Sequence, residues 1–254
     1  MNGVSDIELR YTDELAELLR SGDKELLKSH HWDKEEIEKR ITFVSTFFPE
    51  LKGHKVSILF SHNPNLRPKP LGTMYPRLCP IEAVGNLELV ELSEAKPEAF
   101  IINFWSEIFS YDEIDQLLNY SHEFQHVVQY LTDKRSYWLC RIMFCLVESM
   151  QEEELPTEID AERASKRILE AIYGKQTVDD WVNRQLDKKP HSFFIRFGRY
   201  EVDAGYDLRQ KTKELWEINH LEDKIKKLRR IKAKTNKEQR IIKMYDKVIM
   251  ERSN

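Results

Sequence analysis

Two histidines four residues apart, with a glutamate directly after the first, are the residues of this chain best suited to chemistry. They are His122, Glu123 and His126, in the stretch YSHEFQHVVQY over residues 120–130. On an α-helix, residues i and i+4 lie one above the other on one face, so both imidazoles can turn toward a single ion. Neutral imidazole is a good ligand for zinc, with Zn–N distances of about 2.0–2.1 Å. Glu123 is rotated by about 100° from His122. It need not ligate, and can instead stand beside a metal-bound water, whose pKa zinc lowers to roughly 7, and take its proton. With 8 histidines in 254 residues, chance would place the pattern roughly 0.03 times in such a chain.

A catalytic zinc needs a third protein ligand and an open position. The stretch PTEIDAERA offers Glu158 near the start of a later amphipathic helix. Ala161, one turn on, lets helices approach closely. Glu162, at i+4 from Glu158, can accept from the free N–H of a ligand histidine. Asp160 and Glu162 stay open as ligands, because a helix phase read from sequence shifts by a residue or two. Glu201 in EVDA is a further candidate, at 75 positions after His126 against 32 for Glu158; the helix expected over 136–150 gives a simple return path to Glu158.

These residues resemble the glutamate-zincin, or gluzincin-like, metallopeptidases, in which H-E-x-x-H on one helix is completed by a glutamate in an E-x-x-A-type stretch of a later helix. The resemblance covers about residues 100–170. It implies His122, His126 and Glu158 as zinc ligands, Glu123 as general base, and hydrolysis of peptide bonds by a zinc-activated water. The metzincin extension is absent, since Gln129 and Thr132 stand where it needs glycine and histidine. The compact regulatory metallopeptidases of bacteria and phages are similar in size, but Glu162 and Ala164 replace their usual Asn and Phe, and no specific family is assigned. Tyr200 or His191, in HSFFIRFGRYEVDAGY, is the candidate helper for the transition state, with Arg199 and Tyr206 nearby. His54 and His62 could line a cleft.

The elements that must position these residues can be read from periodicity. The first fifty residues read as helices: DIELRYTDELAELLR, with Ile7, Leu15, Leu18 and Leu19, then WDKEEIEKRITFVSTFF, with Asp33 as N-cap and Ile37, Ile41, Val44 and Phe48 inward. KVSILFS (55–61) and FIINFW (100–105) read as strands, residues 62–80 as a proline-rich loop, and IEAVGNLELVEL as a hairpin about Gly85-Asn86. An extended substrate would add to an edge at 81–92 or 100–105. Ser110-x-x-Glu113 is a capping box opening a helix over 111–132, whose core face includes Ile114, Leu117, Leu118, Val128 and Leu131. A buried helix follows over 136–150, then one with Thr157 as N-cap and Gly174 as its stop. From Lys211 on, Ile218, Leu221, Ile225 and Leu228 space as a coiled-coil seam, broken at KTNK. The expected fold is therefore α+β and predominantly helical: a zincin-like active-site helix on a small sheet, additional helices, and a C-terminal helical hairpin or coiled coil. A catalytic domain over 1–205 comprises helices over 1–50, a sheet region over 55–105 and active-site helices over 111–174. A basic extension follows over 206–254.

Composition narrows the functional classes. Eight glycines, with no G-x-G-x-x-G and no Walker-type loop, argue against a nucleotide-binding architecture. The start of the chain lacks a basic-then-apolar signal, and the apolar run 137–147 is too short to span a bilayer and contains Arg141. Three cysteines without C-x-x-C spacing fit reduced core residues, so a cytoplasmic protein with no membrane partner is expected. Net charge is −4, yet residues 223–254 carry twelve Lys/Arg against four Asp/Glu. That tail suggests an alternative function: binding nucleic acid or an acidic protein partner, with the zincin site accessory or inactive. A homodimer through the C-terminal helices is a further expectation.

Overall fold

The computed structural model describes residues 6–21, 34–61, 72–77, 99–105, 108–109, 111–147, 149–188, 191–231 and 234–250. The elements are β1 (Asp6–Tyr11), α1 (Asp13–Ser21), α2 (Lys34–Ser45), β2 (Lys55–Ser61), β3 (Gly72–Arg77), β4 (Ala99–Trp105), α3 (Glu113–Thr132), α4 (Lys134–Leu146), α5 (Pro156–Tyr173), α6 (Lys175–Lys188), α7 (Ser192–Gly198), α8 (Leu208–Ile218), α9 (Leu221–Arg230) and α10 (Asn236–Met250). The chain is predominantly helical with one small sheet, an α+β arrangement. Among the described residues, no helix is long and apolar enough to cross a membrane.

The sheet has the order β1-β2-β4-β3. β1 pairs parallel with β2, Asp6 opposite Lys55, and β2 pairs parallel with β4, Val56 opposite Phe100. β2 is the central strand of this parallel trio, and its near-continuous apolar run is what burial on both faces requires. The helical reading of residues 6–11 is corrected here. Ile7, Leu9 and Tyr11 alternate with Asp6, Glu8 and Arg10, which is a strand period, and helix α1 begins only at Asp13. The proline-rich loop also contains a strand, β3. β4 lies between β2 and β3 rather than at an edge, so it cannot receive an added substrate strand; among the described residues the edge strands are β1 and β3. The expected hairpin over 81–92, Asp33 as a cap and Ser110 in the capping box all lie outside the described residues.

By contacts the chain divides into two units. The first holds the sheet, α1, α2, the first part of α3, most of α5, α6 and α7. Ile37, Ile41 and Val44 of α2 are buried, together with Val56, Ile58 and Phe60 of β2 and Phe100, Ile102 and Phe104 of β4. Tyr120 of α3 meets Phe104 edge-on at 5.1 Å, and Phe124 packs on Phe48 at 5.7 Å. These contacts seat α3 on the sheet. Trp181 of α6 packs edge-on against Phe194 and Phe197 of α7.

The second unit holds the end of α3, α4, the first turn of α5, and α8 to α10. Helix α4, capped by Asp133, is buried at Tyr137, Trp138, Leu139, Cys140, Ile142 and Met143. Helices α8, α9 and α10 pack on it. Trp216 and Tyr245 stack at 5.7 Å, and Glu222 accepts from both. The continuous seam expected from Ile218 onward is not formed. His220 takes a left-handed conformation, φ 51°, which ends α8 and turns the chain into α9. Ile218 is left 71% exposed, while Leu221 and Ile225 are fully buried.

Candidate metal centre

Helix α3 carries the histidine pair, and its start is well defined. Asp112 accepts from the Asp115 amide at 2.9 Å, the role of an N-cap. The buried Ser121 hydroxyl donates to the Leu117 carbonyl within the helix. On this scaffold His122 Nε2 and His126 Nε2 lie 3.1 Å apart. Their rings are nearly perpendicular, 86°, with centroids at 4.7 Å. Two nitrogens bound at 2.0–2.1 Å to one tetrahedral ion would stand about 3.3 Å apart, so the pair is already spaced for a shared ion. His126 and Glu123 are buried, at 5% and 6% exposure.

Helix α5 carries the carboxylate. It opens with Pro156 at its first position, where the fixed φ fits and the missing N–H costs no hydrogen bond. This displaces Thr157 from the expected N-cap into the first turn. The helix ends as expected at Gly174, whose φ of +81° is the left-handed stop that glycine takes without strain. Among the described residues, the His/Cys/Asp/Glu group with converging ligand atoms is His122, His126 and Glu158, all within 4.8 Å of one another. Two imidazole nitrogens and one carboxylate oxygen form a donor set suited to zinc that leaves a fourth position open.

The other candidate ligands have different surroundings. Asp160 accepts from Gln129 at 2.8 Å. Glu201 is exposed, and its backbone carbonyl accepts from Arg163. Glu162, only 4% exposed, accepts from Arg196 through both oxygens and from the Tyr200 hydroxyl. Burial, reinforced by Glu162, pushes the Tyr200 phenol well above its ordinary range. Tyr200 therefore stands as part of this ionic cluster, with its proton committed to Glu162. His191 caps α7, its Nδ1 accepting from the Phe193 amide. His54 rests edge-on against Phe100.

Several residues of this region carried no signal in the sequence reading. Arg196 lies one turn before Tyr200 on the apolar helix α7. Lys166 of α5 is fully buried and donates to the carbonyls of Gly198 and Tyr200, which holds the end of α7 against α5. Gln129 was notable only for not being glycine; its place at i+3 from His126 was the available clue. No family model, no curated protein and no solved structure matches this chain.

Proposed function

We propose that the chain is a zinc-dependent metallopeptidase of the glutamate-zincin type, with His122, His126 and Glu158 as ligands and Glu123 as general base. The observation that carries this reading is the convergence of His122 and His126 of α3, the helix that also carries Glu123, with Glu158 of α5. Zinc held there would supply Lewis acidity toward a carbonyl oxygen and acidify a water to a pKa of roughly 7. Glu123, itself buried, takes a proton from the attacking water at a carboxylate oxygen and returns it to the leaving amine. Glu162, Arg196 and Tyr200 hold the next turn of α5 in place.

The test is cleavage of a mixed peptide library, followed by mass spectrometry. Hydrolysis that stops with a chelator, returns with zinc, and falls by about 10²–10⁴-fold in Glu123→Gln supports the reading. Equal cleavage by wild type and Glu123→Gln contradicts it.

A second reading is favoured by the outward face of α9, where Lys226, Lys227, Arg229 and Arg230 are exposed while Leu221 and Ile225 face inward. Such a face could hold the phosphates of a nucleic acid. Its affinity would then fall steeply with salt, and titrations at two salt concentrations test it; affinity that ignores salt excludes it.

A further inference from the structure

Gln129 lies three residues beyond His126 on α3 and is 1% exposed. Its amide directs both N–H groups at the first turn of α5. Nε2 donates to the Thr157 carbonyl at 2.8 Å and to Asp160 Oδ2 at 2.8 Å. The Thr157 carbonyl belongs to the peptide group whose nitrogen is that of Glu158. Asp160 stands two residues further along the same turn. One planar group therefore fixes two points on either side of Glu158, which restrains the turn in both position and rotation. Tyr206 adds a third tie, donating to the Pro156 carbonyl at 3.3 Å.

The residue type suits the task. A primary amide offers two donors and no charge. Methionine at the same length would leave the buried Thr157 carbonyl and the half-buried Asp160 carboxylate without this donor, a cost incurred in full where the acceptor is buried. Glutamate would set one carboxylate against another.

We propose that Gln129 is a positioning residue of the metal centre: through Thr157 and Asp160 it sets Glu158 against the histidine pair, so that zinc affinity depends on a side chain that does not ligate. This rests on the reading of His122, His126 and Glu158 as zinc ligands. Partners that orient metal ligands typically change affinity by about 10–100-fold.

The experiment is zinc affinity of the full chain by competition with a chromophoric chelator, alongside the visible spectrum of the cobalt form. Wild type is compared with Gln129→Met, Gln129→Glu, Asp160→Asn and Asp160→Ala, with Glu158→Ala as the reference for a lost ligand. Gln129→Met and Gln129→Glu are expected to weaken zinc about 10–100-fold and to shift the cobalt bands. Asp160→Asn, whose amide oxygen still accepts, should stay close to wild type, while Asp160→Ala should weaken. Gln129 variants that bind as tightly as wild type, when Glu158→Ala does not, overturn this role and leave the metal reading standing. Wild type that holds no zinc, or holds it independently of Glu158, overturns the metal reading and this role together. Should both Gln129 variants fail to fold by circular dichroism, the Asp160 pair decides: Asp160→Ala binding like wild type overturns the proposal.

Discussion

Asp115, in the first turn of α3, is a residue whose state depends on pH. Burial pushes its carboxyl up to about 7, and the neighbouring Asp112 adds to the shift. In the unfolded chain an aspartate titrates near 4. Between roughly pH 4 and pH 7 the folded chain thus holds a proton that the unfolded chain has lost. Stability falls as pH rises through that window and levels off above it. Asp115→Asn should remove this slope and raise stability at pH 7 by on the order of 1 kcal/mol, as read from urea unfolding at a series of pH values. A variant with the wild-type slope would assign the pH dependence elsewhere. At this same scale, the histidine pair was legible because helical spacing alone puts i and i+4 on one face, whereas Glu158, on another helix, was singled out among several carboxylates by the resemblance of its stretch to the E-x-x-A pattern. The partners of Glu162 were not, because Arg196 and Tyr200 meet it only through the packing of α7 on α5, which no local period encodes.

Among the elements, legibility followed how far local signals agreed with the environment. Strands β2 and β4 and helices α4 and α5 stood near their expected places, since β-branched runs and 3-4 spacing there matched their burial. Residues 6–11 read as helix because they run into a true helix without a glycine or proline between; their two-residue alternation was the local signal for the strand, which pairs with β2. Thr157 looked like a cap by type, which would open the helix at Glu158, but Pro156 starts it two residues earlier. Gly174 was read correctly because a left-handed stop leaves few choices. Gly174→Ala has open space for its methyl group, so strain at φ +81° is the remaining effect. A loss of about 1 kcal/mol is expected, measured as a lower thermal midpoint; an unchanged midpoint would show that the α5 stop relaxes without cost.

For the whole molecule, the C-terminal helices stand where helix is expected, with a break near KTNK. Their charge suggested an extension, yet Ile241, Met244, Tyr245 and Val248 of α10 are buried, and α10 packs on α4. Leu221 and Ile225 of α9 are likewise buried, while Ile218 of α8 is exposed. Deleting 236–254 should therefore uncover the apolar surface of α4. The shortened chain is expected to bind a hydrophobic dye and to be cleaved within 134–146 by protease far faster than the full chain. A truncation as protease-resistant as the full chain would mark α10 as dispensable to the second unit.

The central claim is that His122, His126 and Glu158 hold one zinc ion. Elemental analysis of the full chain, purified without chelator, tests it most directly, with His126→Ala and Glu158→Ala measured beside it. The account predicts about one zinc per chain in the wild type, lost in His126→Ala and strongly reduced in Glu158→Ala after dialysis. Wild-type chain without zinc at neutral pH, even after exposure to excess zinc, would contradict it.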